Sequence, residues 1–158
     1  MHNKPTNEKI ILGLSHAHHD GAACIVKGGK ILAAIECERL FKIKKCKLVD
    51  SNLNETIDYV LESVGMVLND IDYIAVGSSP EELLLTPEND VNIGYNLFNL
   101  NKPGCIVPHH LAHNAAAYYT SPFDTAISLS VDASCGVPQG YHLNSSICLA
   151  NDKFIKSV

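Results

Sequence analysis

The chain has 158 residues, 46% of them hydrophobic, enough for the core of one ordinary domain and too short for two catalytic domains. Twelve basic and seventeen acidic residues give a net charge of −5, and the only basic cluster, Lys42 to Lys47, holds no aromatic side chain for base stacking, which argues against nucleic acid as a main partner. Met1 to Ile10 lacks the cationic end and apolar run of a signal peptide, and no stretch reaches the roughly 18 apolar residues of a membrane helix, so a cytoplasmic protein away from membranes is expected.

From Lys9 to Glu38, "KIILGLS", the polar corner "HAHHDG", "AACIVK", the pair Gly28-Gly29 and "KILAAIECE" follow one another. The apolar runs are too short for ordinary helices and a glycine pair marks a hairpin, so three antiparallel strands are expected. Ile57, Val60, Leu61 and Val64 recur at helical spacing and predict a helix capped by Asn54 and ending near Gly65. "DYIAVGSS" reads as a buried strand, Glu81 to Asn101 as mixed with some helix, and "GCIVP" as a short strand.

Pro108 fits a helix start, the alanine-rich residues 109–119 predict the helix, and Pro122 prevents its continuation. "TAISLSVD" alternates Ile127, Leu129 and Val131 with Ser128 and Ser130, a strand with one oily and one small polar face. The chain is then expected to turn through "ASCG", after which "SSICLA", a turn at "NDK" and "FIKSV" predict two more strands. The order predicts an α/β fold: one ribonuclease H-like lobe over residues 1–124 and the opening strands of an incomplete second lobe over 125–158.

Three groups of side chains have chemical potential. His109 and His113, four apart on a helix, can present two imidazoles to one ion, with Asp132 as a possible carboxylate partner. The plainer reading is a helix N-terminus with a polar pocket. The corner between the first two strands holds His16, His18, His19 and Asp20, where backbone N–H groups could hold a phosphate and His19 or Asp20 could move a proton, or where a polar hairpin simply meets water. Glu36 and Glu38, alternating on a strand, and Arg39 at its end could bind a carboxylate or phosphate, or form a solvated rim. Six cysteines without a CxxC pair suit reduced, packed thiols.

Four ordered segments, "ILGLSHAHHDGAACIV", "ECERLFKIKK", "HHLAHNAAAYYTSPFDTAISLSVD" and the turn from Asp132 to Gly136, together resemble the amino-terminal part of the O-carbamoyltransferase family of nodulation-factor and antibiotic tailoring. The resemblance implies a fold of the acetate-kinase, sugar-kinase, heat-shock and actin class, in which two ribonuclease H-like lobes close on a nucleotide. It implies transfer of a carbamoyl group from carbamoyl-adenylate, itself made with ATP, to the hydroxyl of a small molecule. It further implies a divalent metal, iron in type with zinc or manganese as alternatives, held by His109, His113 and Asp132. His19 and Asp20 then match a turn near the transferred group, and Glu38, Arg39 and Gly136 match positions that face the nucleotide.

The sequence also departs from the pattern. Ala133 stands where the family has a glycine after the aspartate, Cys37 replaces the first glutamate of the acidic-arginine run, and the rest of the second lobe and the domain that makes carbamoyl-adenylate are missing. Half a cleft calls for a second lobe or subunit, or for self-association. Two functions are therefore expected to compete: part of a carbamoyltransferase that is incomplete on its own, and a non-catalytic nucleotide- or metabolite-binding or assembly module of the same fold.

Overall fold

A computed structural model describes residues 8–16, 19–78, 92–95, 97–136, 142–151 and 154–157. Strands β1 (Ile10–His16), β2 (Ala22–Lys27) and β3 (Lys30–Glu36) form the expected antiparallel meander, with Gly28 and Gly29 at positive φ in the second turn. Strands β4 (Tyr73–Ser78), β5 (Asn92–Tyr95) and β6 (Pro103–Pro108) complete a six-stranded sheet of order β3-β2-β1-β4-β6-β5. This mixed α/β arrangement is the ribonuclease H-like lobe of the actin-like class. Most of Glu81 to Asn101 lies outside the described residues; what is described there is β5 and a 3-10 turn at Leu97–Asn99.

The described chain divides into two compact units, one extending to Val76 and including Ile93–Cys105, the other holding Ile106 onward. The first is built on the large sheet. Its core joins Leu12 and Leu14 of β1 and Ile25 of β2 to Leu53, Ile57, Val60 and Leu61 of helix α2 (Asp50–Ser63). The apolar residues at helical spacing are thus the packed face. Helix α2 begins four residues before Asn54, because Asn52 serves its first turn: Asn52 Oδ1 accepts the Val49 N–H at 2.9 Å and Nδ2 donates to the Lys47 carbonyl at 2.8 Å.

Two further local expectations are corrected. Glu36 and Glu38 do not alternate along one strand, since β3 ends at Glu36 and a short helix, α1 (Cys37–Phe41), starts there. Nor does the chain turn at Ala133–Gly136: β7 (Thr125–Gly136) continues through it. Strand β8 (His142–Asn151) supplies the partners, pairing Cys135 with Leu143 and Gly136 with His142, and a register shift between Val131 and Cys135 absorbs the irregular residues.

In the second unit, helix α3 (His109–Tyr119) has the expected bounds and lies on an antiparallel sheet of order β7-β8-β9, β9 being Phe154–Ser157. The turn at "NDK" falls largely outside the described residues. No described helix is long and apolar enough to cross a membrane. Among the cysteines whose side chains are described, all are free thiols; burial pushes Cys24, Cys37, Cys105 and Cys148 above the ordinary thiol range, which keeps them protonated and inert.

Candidate metal centre

Pro108 is the N-cap of α3, with φ −52° and ψ 142°, and ends β6 directly before His109. The absence of a backbone N–H costs nothing at this position, so strand and helix join without a connecting loop. One turn of helix then stacks the His109 and His113 side chains. Strand β7 brings the third group. Its even-numbered residues Ser128 and Ser130 are buried, and Ser128 Oγ donates to the Asn114 carbonyl of α3 at 3.4 Å, so this parity faces the helix. Asp132 has the same parity and reaches the start of α3.

His109 Nε2 lies 2.7 Å from Asp132 Oδ2 and 3.1 Å from His113 Nε2, and His113 Nε2 lies 3.7 Å from the same carboxylate oxygen. The two imidazoles meet edge to face, with centroids 4.5 Å apart. All three ligand atoms fall within 4.8 Å of one another. A single proton cannot satisfy this arrangement: if His109 Nε2 donates to Asp132 it has no lone pair left for His113. Two ligands about 2.1 Å from one divalent ion and roughly 90–110° apart are separated by roughly 3.0–3.4 Å, so the spacing of the histidine nitrogens fits a shared cation. Burial, with His109 adding to it, holds the His113 imidazole below its ordinary pKa while Asp132 opposes, favouring the neutral form that ligates.

His110, the neighbour in sequence, points into the unit. It is buried, both ring nitrogens lack a partner among the described residues, and burial first and His109 second push its pKa down. Asn114, one turn on and fully buried, donates from Nδ2 to the His110 carbonyl at 2.9 Å and to Ser146 Oγ at 2.8 Å. The sequence reading missed this polar seam. The signal was present: two polar residues four apart on one helix face opposite a strand of serines.

The first unit holds the other candidates. His19 Nδ1 and Asp20 Oδ2 are 2.6 Å apart on an exposed corner, with Asp20 at φ 56°. His18 lies outside the described residues. Glu38 Oε2 accepts the Lys45 N–H at 3.0 Å, which folds the basic loop back on α1, and Arg39 Nε sits 3.7 Å from Glu36 Oε2 at the surface. Gly136 is in the second unit, at the end of β7. The structure therefore brings together His109, His113 and Asp132 in one unit, and His19 with Asp20 in the other.

Comparison with known proteins bears on what these groups serve. The family model described as the carbamoyltransferase N-terminus matches residues 10–89. Nodulation protein NolNO of Sinorhizobium fredii is 32% identical over 134 residues, covering 72% of this chain and 19% of that protein. The uncharacterized protein sll1178 of Synechocystis is 31% identical over 157 residues, covering 77% of this chain and 25% of that protein. The chain thus spans a fifth to a quarter of the length of these curated relatives. The crystal structure of (R)-2-hydroxyglutaryl-CoA dehydratase component A from Acidaminococcus fermentans superposes with a TM-score of 0.51 at 17% identity, over 92% of this chain and 48% of that one, a likeness of fold alone.

Proposed function

Because this chain belongs to the carbamoyltransferase family, as its amino-terminal part, we infer that it supplies the metal-holding half of a site that transfers a carbamoyl group from carbamoyl-adenylate to a small-molecule hydroxyl. The observation that carries this reading is the convergence of His109 Nε2, His113 Nε2 and Asp132 Oδ2 within 4.8 Å. These three side chains would hold a divalent ion, with iron favoured over zinc and manganese by the resemblance, since imidazole and carboxylate suit all three. Bound there, such an ion polarises a carbonyl.

The chain's own residues set the conditions. His109 Nε2 and Asp132 Oδ2 already lie 2.7 Å apart, so a bound ion would take the place of the proton they share, and the depressed pKa of His113 keeps its nitrogen available. On the resemblance alone, the His19–Asp20 pair would serve the acceptor's proton: the carboxylate lies against Nδ1, leaving Nε2 to accept or donate. Glu38, Arg39 and Gly136 are assigned to the nucleotide side on the resemblance alone. The rest of the site would come from a second lobe or subunit.

The test is calorimetric titration with Fe(II) under anaerobic conditions, and with Zn(II) and Mn(II), of the wild-type chain and His113→Ala. Binding weakened by more than about tenfold in the variant is expected, since a ligand itself is lost. Equal binding by the two proteins would remove these histidines from the site. Metal binding that persists with no carbamoyl transfer in any reconstituted mixture would favour a binding module instead.

A further inference from the structure

Cys37 and Cys46 are brought together by one glycine. Ala22 pairs with Glu36, so the next step of the ladder between β2 and β3 sets Gly21 beside Cys37. In a hydrogen-bonded antiparallel pair, the N–H and the C=O of a residue both point to the same neighbour. At Gly21 they are shared between two: the carbonyl accepts the Cys37 N–H at 2.7 Å, and the N–H donates to the Cys46 carbonyl at 2.8 Å. The backbones of the two cysteines therefore lie side by side on one edge of Gly21. Their thiols meet the same stretch of α2. Cys37 Sγ is 3.6 Å from Thr56 Oγ1, Asn52 Nδ2 donates to Cys46 Sγ at 3.6 Å, and Thr56 Oγ1 donates to the Asn52 carbonyl, one helical turn back, at 2.7 Å. Burial first, and the neighbouring Cys46 thiol in addition, raise the Cys37 pKa against the hydrogen bond with Thr56. Both side chains are buried, Cys37 fully and Cys46 to all but 8%.

We propose that Cys37 and Cys46 form a reversible disulfide when the protein meets a peroxide, and that this bond clamps the lysine-rich loop between them. A disulfide needs Cα atoms roughly 4.4–6.8 Å apart, and backbones bonded to the N–H and C=O of one residue are neighbours on that scale. Both cysteines belong to the first unit, so neither the metal site nor any further part of the second lobe bears on the bond. Cys46 is the thiol that meets the oxidant. It is the more exposed of the two, and the lysines at 44, 45 and 47 together with the Asn52 amide donor favour its thiolate. Its sulfur attacks one peroxide oxygen: the S–O bond forms, the O–O bond breaks, and the leaving hydroxide takes up the thiol proton as water, giving a sulfenic acid. Cys37, out of reach of water and unreactive alone, then attacks the Cys46 sulfur. The S–S bond forms, the S–O bond breaks, and the second hydroxide leaves as water with the Cys37 proton. Two thiols thus give up two electrons, and one peroxide becomes two waters. A thiol reductant reverses the bond. Oxidation closes residues 37–46 into a ring carrying Lys42, Lys44 and Lys45, and holds the loop in the fold it takes over the Glu38 carboxylate.

The test treats the reduced 158-residue chain with hydrogen peroxide at neutral pH, blocks the remaining thiols and digests with trypsin in the absence of reductant. Ile31–Arg39 and Cys46–Lys47 should emerge as one linked peptide, two hydrogen masses lighter than the separate pair and parted again by dithiothreitol. The two single variants should behave differently. With Cys37→Ser, Cys46 stops at the sulfenic acid, which dimedone captures; with Cys46→Ser, Cys37 stays a thiol, since no oxidised sulfur lies beside it. Cys24→Ser, at a position of the same unit that faces Gly13, should leave the linked peptide unchanged. Oxidised wild type without the linked peptide, bridges to other cysteines in equal yield, or dimedone capture of Cys37 in Cys46→Ser would overturn the proposal.

Discussion

Gly21 has no room for a side chain. A Cβ there would fall against the Leu48 backbone nitrogen and within 2.8 Å of the Lys47 carbonyl carbon, both parts of a chain segment that cannot swing aside as a side-chain end could. The glycine's own backbone is clasped from both sides: its N–H donates to the Cys46 carbonyl at 2.8 Å and its carbonyl accepts the Cys37 N–H at 2.7 Å. Gly21→Ala is expected to cost about 2 kcal/mol or more by forcing backbone apart, measured by urea unfolding. Asp72 works by charge at the other end of β1. Its carboxylate accepts the Ile10 N–H at 2.9 Å and Lys9 Nζ at 3.3 Å, and these bonds, the Ile10 one foremost, hold its pKa below the ordinary aspartate value of 3.8. With the folded value below the unfolded one, the unfolded chain binds more protons in acid, so the stabilisation is complete above about pH 4 and is lost as pH falls through the folded value. Asp72→Asn should therefore destabilise at pH 7, and the gap to wild type should close below pH 3.8 in a pH series of unfolding curves.

At the level of elements, α3 is held to its sheet by polar bonds where α2 is held by oil. Asn114 spans helix and sheet with bonds to the His110 carbonyl and Ser146 Oγ, from a position with no exposure to water. Asn114→Ala removes a buried amide that bonds the His110 carbonyl and the half-buried Ser146 hydroxyl, and should destabilise the second unit by about 1–3 kcal/mol. Amide exchange resolves where: protection should fall in α3, β7 and β8 while α2 and β1–β3 keep theirs. Loss spread evenly over both units would show that the seam is not local. The same seam explains why β7 keeps Asp132 beside His109: a slip of one residue would turn Asp132 away from the helix and bring Val131 beneath it.

For the molecule as a whole, the span matters most. A chain covering 19% of one relative and 25% of another carries, among its described residues, a six-stranded and a three-stranded sheet, and no GxxxxGK[ST] phosphate loop occurs in its sequence. The purified chain is expected to release no pyrophosphate from ATP with carbamoyl phosphate, and to transfer carbamoyl slowly at best. Transfer needs several groups held around one carbonyl, and a displacement of about an ångström can cost roughly a hundredfold in rate. Robust pyrophosphate release by the pure chain would overturn this; release only after a second polypeptide is added would support a divided enzyme.

Sequence alone was enough for whatever depends on local periodicity. The i, i+4 spacing of His109 and His113, the helix from 109 to 119 behind Pro108, the Gly28-Gly29 hairpin and the packed stripe Ile57, Val60 and Leu61 all follow from the geometry of one element. Tertiary structure decided what depends on a second element. Alternation in β7 defines two faces, and only α3 determines that the serines turn inward and the aliphatics outward. "ASCG" has the composition of a turn, yet pairing with β8 draws it into a strand. Glu38 reads as a strand residue until the Lys45 N–H, seven residues on, closes the loop over it. Each of these outcomes is set by a partner outside the element itself, and neither composition nor spacing encodes which partner arrives.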